Sequence, residues 1–187
     1  MKLRILCAIA IFSCAGFAQA QWATLDSEHS SVTYVTTKLK DISEIHAFDS
    51  ITGSISNSGE VAVVIDSVSI NSMLELRDDR IREFLFKVMD YPSITVSADI
   101  DLDALSTGVS NLQFPAAVNI VGAELAVTVD ALVSVSDSSV TVSSRKPIVV
   151  FASQVGLTDG VAKLSELAGG LPIGGSVPVS FSLSFDR

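Results

Sequence analysis

Side chains able to do chemistry are scarce in this chain. His29 and His46 are its two histidines, so an imidazole base or ligand must be one of them. His29 sits in Asp26-Ser27-Glu28-His29-Ser30. One reading makes it a polar contact at a pocket mouth, or a base paired with Asp26 or Glu28 in a hydrolase or isomerase. Such a base needs a positioned partner and a nucleophile, and no nucleophile is evident. The favoured reading is a histidine that ties down a strand end. His46 has only Glu44 nearby and reads as a solvated strand residue. Asp99, Asp101 and Asp103 alternate, which puts three carboxylates on one strand face. A hard cation could sit there, but Ala104 occupies the position where a calcium loop needs glycine; a wet sheet face is favoured. Arg77, Arg80 and Arg82 interleave with Asp78, Asp79 and Glu83. They read either as an anionic headgroup site or, preferably, as a salt-bridged helix surface. No G-x-S-x-G, H-E-x-x-H, phosphate loop or dinucleotide fingerprint occurs. The expectation is no catalytic residue, no metal and no cofactor.

The N-terminus reads as a targeting segment. Lys2 and Arg4 precede an apolar run, Ile5 to Ala18, and Ala18-Gln19-Ala20 is an A-x-A cleavage pattern. This order predicts a signal peptide over 1–20, cut after Ala20, and a mature domain over 21–187. The apolar run is too short for a stable membrane span, which takes roughly 20 residues. A rival reading places a lipid anchor on Cys14 through Ile11-Phe12-Ser13-Cys14, but Phe12 fits that pattern poorly. Cys7 and Cys14 are the only cysteines, so the mature chain can form no disulfide and no thiolate site. The formal charge is −9; the two basic residues of the first 20 are matched by no acid there, so residues 21–187 carry −11. That excludes ready binding to nucleic-acid phosphates or anionic membrane surfaces. It leaves the oligomeric state open. Hydrophobic residues at 48% against charged residues at 18% exclude disorder.

The elements that must position any site are mostly strands. Val177, Val179, Phe181, Leu183 and Phe185 alternate strictly with polar residues and Pro178, which gives one buried face and one wet face. Similar runs occur at Ser31–Thr36, Ile45–Ile55, Val61–Ile70, Ile94–Leu105, Val109–Ile120, Leu125–Val135 and Ser139–Ser143, eight candidate strands in all. Asn57-Ser58-Gly59, Thr107-Gly108 and Asp137-Ser138 supply turns between them. Two segments break the pattern. Arg77–Met89 carries Ile81, Phe84, Leu85 and Val88 at helical spacing. Asp159–Ala168 carries Val161, Leu164 and Leu167, with Asp159 as N-cap and Gly169-Gly170 as stop. The pattern predicts an all-β fold, either a closed eight-stranded barrel or a sandwich, with one or two short helices. A barrel of that size is filled by side chains or holds one small ligand. Phe84, Phe86, Phe114, Phe151, Phe181 and Phe185 serve either purpose, and alternation alone leaves both open.

Several stretches together resemble the YceI-like family. They are Asp26-Ser27-Glu28-His29-Ser30-Ser31-Val32, Phe48 with Gly53, Asp66-Ser67-Val68-Ser69-Ile70-Asn71, Arg77-Asp78-Asp79-Arg80-Ile81-Arg82, and Tyr91-Pro92-Ser93-Ile94-Thr95-Val96. Asn119-Ile120-Val121-Gly122 fits the family's later strand-and-turn. Arg80 stands where members have histidine, His46 where they have glycine, Ile51 where they have an aromatic, and Asn71 where they have threonine. The C-terminal half, with Lys146-Pro147-Ile148, is divergent. The resemblance implies a lipocalin-like antiparallel barrel and a periplasmic or secreted protein. It also implies non-catalytic binding or transport of a long isoprenoid, such as a polyprenyl lipid or quinone, or of another amphiphilic lipid. The expected channel lining is Phe181, Leu183 and Phe185 of the last strand, with Tyr34, Phe48, Phe84 and Phe114. The alternative is a structural or interaction barrel with a filled core. An apolar cavity of roughly 300 Å³ or more would separate the two.

Overall fold

The computed structural model describes residues 21–187; the expected signal peptide and the Cys14 site lie outside them. The strands are β1 (Gln21–Lys38), β2 (Ile42–Phe48), β3 (Ile51–Ser56), β4 (Glu60–Asp66), β5 (Ile70–Asn71), β6 (Ser93–Asp99), β7 (Gly108–Ile120), β8 (Ala123–Val135), β9 (Ser139–Ser144), β10 (Ile148–Phe151) and β11 (Ser176–Asp186). Helix α1 (Glu75–Arg80) runs into a π-helical segment, Ile81–Phe86, and α2 (Thr158–Leu167) precedes β11.

Eight strands close a ring in the order β1-β3-β4-β6-β7-β8-β9-β11, with β11 pairing back onto β1. Every pairing in it is antiparallel. Closure removes the exposed edges that an open sheet of this size would leave. β2, β5 and β10 extend the wall at one end. β2 continues on the side of β1 that β3 covers lower down, and β10 continues on the side of β11 that β9 covers. The helical segments sit at that end, where the Ser67 amide donates to the Pro92 carbonyl at 2.9 Å. The β3–β4 hairpin marks the other end, pinned by the Ile100 amide on the Gly59 carbonyl at 2.9 Å. Gly59 (φ 88°) cannot be replaced there, since a Cβ would fall 2.0 Å from the Ile100 carbonyl oxygen.

Three candidate strands divide, and β10 is added. Phe48 and Ile51 are both buried although three residues apart, which one continuous period-two strand cannot achieve. The run 45–55 therefore bends at Asp49-Ser50 and becomes β2 and β3. Asp66 accepts from the Val68 amide at 2.8 Å and starts a 3₁₀ turn that ends β4. Asp101 does the same from the Asp103 amide at 3.0 Å. Asp99 thus ends β6 while Asp101 and Asp103 lie in a turn, so the three carboxylates do not share a strand face. β1 starts ten residues before the expected Ser31, because a bulge between Asp26 and Ser31 lets the strand resume beside β11. Asp26 fastens that bulge, accepting from the Glu28 amide at 2.9 Å and from His29 Nδ1 at 2.6 Å.

The helix expected over Arg77–Met89 is present but wound differently. A π turn adds one residue per turn, so Ile81 and Phe86, five apart, both enter the core while Phe84 is only half-buried. α2 begins at Thr158 without a side-chain cap, so Asp159 is not its N-cap. It presses on the π turn through Gly160, where a Cβ would stand 2.7 Å from the Phe84 carbonyl oxygen.

An apolar channel as the candidate functional site

The ring encloses a cavity of about 240 Å³. It is walled from Ile55 and Ile100 near the β3–β4 hairpin to Leu85, Phe86 and Val161 beneath the helical segments, so it follows the barrel's length. Its exposed surface carries no polar atom, and Tyr34 is the only lining residue with a polar side-chain group. The volume falls below the roughly 300 Å³ at which compact ligand pockets begin. A wholly apolar space that follows the barrel's length suits a linear hydrocarbon chain better than a compact polar molecule.

Of the residues expected to form the lining, Tyr34, Phe48, Phe114, Phe181, Leu183 and Phe185 border this cavity, and Phe84 does not. The π turn substitutes Leu85 and Phe86 for it, and Phe84 instead lies near the Lys163 ammonium, 6.0 Å from the ring centre. Aliphatic residues make up much of the remaining wall, among them Val63, Ile65, Val96, Val118 and Val129. Their period-two spacing in β4, β6, β7 and β8 carries that signal in the sequence, as plainly as the aromatic residues do. At the helical end the rings of Tyr34, Phe48 and Phe86 form a chain, with centroid separations of 5.8 and 5.7 Å.

His46 is buried at 3% exposure rather than solvated. It shares the inward face of β2 with Phe48, two residues on. Its Nδ1 lies 3.1 Å from the Tyr34 hydroxyl, and its Nε2 has no hydrogen-bond partner. Burial, with the nearby Arg77 guanidinium, brings its pKa down to about 4, so the ring is neutral. Burial likewise pushes the Tyr34 hydroxyl well above the usual phenol range. Outside this pair lies a charged collar. Glu44 meets Lys38 Nζ at 2.8 Å and Arg77 Nη1 at 2.7 Å, which holds its carboxyl below the usual range. Arg77 also donates to the Ser72 hydroxyl and carbonyl, and buried Asp78 accepts from the Ser72 amide at 2.9 Å. Arg82 bridges Glu75 and Asp79, and Arg80 reaches the Leu167 carbonyl at 3.1 Å. The arginine cluster is therefore a bracing network between α1, β2 and α2.

His29 and Asp26 form an exposed pair on the bulge; the contact raises the imidazole pKa and lowers that of the carboxyl. Among the described residues, no group of three or more His, Cys, Asp or Glu is placed to hold a metal ion. No helix among them is long and apolar enough to cross a membrane.

A closed antiparallel barrel around an apolar channel, braced by helical segments at one end, defines the lipocalin-like class of architecture. Residues 23–185 match the model of the YceI-like domain, and the chain belongs to that family. It is similar to the structure of a polyisoprenoid binding domain from Saccharophagus degradans implicated in plant cell wall breakdown. The TM-score is 0.86 at 29% identity, over 89% of this chain and 99% of that one. The fold is also similar to that of Burkholderia cenocepacia BcnA, with a TM-score of 0.68 at 17% identity over 86% and 98% of the two chains. A Campylobacter jejuni YceI protein shares the fold more distantly, at TM-score 0.50 and 15% identity over 72% and 82%. No curated protein matches the chain.

Proposed function

We propose that this protein binds one isoprenoid chain, or an amphiphilic lipid of similar girth, without transforming it. The carrying observation is the channel, which runs the barrel's length and exposes no polar atom. Each methylene moved from water into such a space gains about 0.8 kcal/mol, so a long tail needs no polar contact to be held. The Saccharophagus degradans domain, described as binding polyisoprenoid, supports the same reading. The filled-core alternative is not favoured, because the inward faces of the strands leave this continuous space between them.

The proposal extends to location. Lys2, Arg4, the apolar run Ile5–Ala18 and the Ala18-Gln19-Ala20 signature support export and cleavage after Ala20, with lipid carriage in the periplasm or outside the cell.

The test is mass spectrometry of solvent extracts from the mature protein purified from its native host. A stoichiometric isoprenoid or long-chain amphiphile is expected. Recovery of lipid-free protein that also takes up no added geranylgeraniol would overturn the proposal.

A further inference from the structure

The helical end of the barrel carries large apolar side chains that the core does not take up. Three segments meet there. The β1–β2 hairpin is tied to the loop before β11 by the Leu39 amide on the Pro172 carbonyl at 2.9 Å and by the Gly174 amide on the Thr37 carbonyl at 2.7 Å. It is tied to α1 through Glu44, which meets both Lys38 and Arg77. Leu39, Ile42, Met73, Leu74 and Leu76 project from this tip, between 41% and 87% exposed. Along β2, the face that holds Phe48 at the channel wall continues through His46 and Glu44 to Ile42. The apolar patch thus begins just beyond the charged collar. The local backbone argues against these residue types. Leu39 (φ 54°) and Met73 (φ 64°) are left-handed, a region that favours glycine and asparagine. Leu74 is the N-cap of α1 and makes no side-chain cap, where serine or aspartate would satisfy an amide. At three positions an apolar side chain stands where a small polar one would suit the backbone better, and none of the three is buried.

We propose that this tip docks on the surface of a lipid bilayer, with Leu39, Ile42, Met73, Leu74 and Leu76 seated at the boundary between headgroups and acyl chains. Clustered apolar side chains, exposed at positions whose backbone disfavours them, mark an interaction surface. The charge pattern selects the partner. Residues 21–187 carry −11, yet the tip segments 38–44 and 73–87 hold six basic and six acidic residues, and 171–174 hold no charged residue. The excess charge that keeps the body of the protein off an anionic surface is therefore absent from the tip. An apolar, locally neutral tip on an acidic body inserts by burial rather than by charge, and the body's repulsion turns the tip toward the membrane. The choice of a bilayer over a protein rests on the lipid-binding reading. A chain that water rejects has to leave and re-enter a membrane, and this is the end to which Leu85, Phe86 and Val161 carry the channel.

The experiment is co-sedimentation of the mature protein with phosphatidylcholine vesicles free of prenyl lipid, with and without phosphatidylglycerol, at low and high salt. One variant combines Met73→Asn with Leu74→Ser, both suited to the local backbone; a second is Leu76→Gln. Val109→Ser, exposed at the far end of β7, is the control. The protein is expected to sediment with neutral vesicles, to stay bound at high salt and to bind less as phosphatidylglycerol is added. Each tip variant should lower the partition at least about 5-fold, while Val109→Ser leaves it unchanged. The melting temperature of the double variant should be kept or raised; a fall would show that Met73 and Leu74 serve the fold, and overturns the proposal. So does protein that stays in solution with every vesicle, a tip variant that sediments like the parent, or binding that needs phosphatidylglycerol and is lost at high salt. A dimer that the tip variants convert to monomer also overturns it and gives the patch to a second copy of the chain. Because the vesicles carry no cargo, purified protein without isoprenoid would remove the channel reading alone, and isoprenoid-loaded protein that ignores vesicles would remove the docking alone.

Discussion

Ile81 and Phe86 stand five residues apart and are both buried, at 2% and 6% exposure, because the segment between them is π-wound. An α-helix would have put Ile81, Phe84, Leu85 and Val88 on one face; the wider turn passes Phe84 by and brings Phe86 down onto Phe48. Truncation of a buried Phe costs about 3–5 kcal/mol. Phe86→Ala should destabilise by that order in urea titration, Phe84→Ala by clearly less, and exposed Glu83→Ala by almost nothing. Equal losses at Phe84 and Phe86 would refute the π register.

Gly160 is where α2 touches that turn. A methyl group there meets the Phe84 carbonyl oxygen at 2.7 Å and the Leu85 Cα at 3.0 Å, both fixed backbone. Gly160→Ala should cost about 1–3 kcal/mol through overpacking, despite the better helix propensity of alanine. Lys163→Ala, three residues on, should be nearly silent, because its pair with Glu166 is exposed. A stabilised Gly160→Ala protein would show that the two elements are not in close contact.

The pH response follows from His46. Its folded-state pKa, about 4, lies below the ordinary 6.5, so as pH falls the unfolded chain takes up the proton first. The stability tied to its neutral form is complete above about pH 6.5 and is lost between there and pH 4, up to roughly 3 kcal/mol. Arg77 and Lys38 oppose the proton, Glu44 and Asp78 favour it, and buried Tyr34 stays neutral throughout. Glu44, held below its ordinary value, adds a loss only at lower pH. His29 has the opposite sign, since its raised pKa favours the fold at low pH, but it is exposed on the bulge. Melting temperature should therefore fall from pH 7 to pH 4, and His46→Leu should flatten that slope. An unchanged slope in the variant would exclude His46 as its source.

Leu183 borders the channel and is half-buried. A cavity accepts volume that a packed core rejects at about 1–3 kcal/mol. Leu183→Trp should keep the melting temperature within a few degrees while reducing co-purified lipid several-fold. Lost stability in a protein that never carried lipid would mean that the interior is filled.

No cysteine follows Cys14, and the described residues contain no metal-holding cluster. Chelator and reductant should each leave the melting temperature of the mature protein unchanged; a fall of many degrees with chelator would contradict this.

The alternation at 177–185 made β11 and its inward face readable, because each residue there obeys a period set by backbone geometry alone. Phe181, Leu183 and Phe185 were found for that reason. What escaped depends on tertiary contact. Nothing local marks the change of inward parity between Phe48 and Ile51, which arises where the wall must bend. The π turn is equally silent in sequence, since the same residues satisfy a 3.6-residue period. His46 reads in sequence as any polar strand residue; its burial against the Tyr34 ring, which sits on the neighbouring strand, is a tertiary contact that the local pattern does not carry. β10 was hidden by Pro147, which reads as a break but lies where a strand resumes after a gap.

The pairing of β1 with β11 also governs how the molecule forms. The Ser184 amide finds the Ser30 hydroxyl at 3.0 Å across 154 residues of chain, and that strand pair completes the ring. Contacts so distant in sequence cost loop entropy before they return any burial, which makes such topologies slow to fold. Until β11 arrives, β1 and β9 are open edges flanking an apolar interior. A chain cut short before Ser176 therefore has no smaller barrel to retreat to, and its loss is one of assembly and solubility rather than a graded loss of affinity.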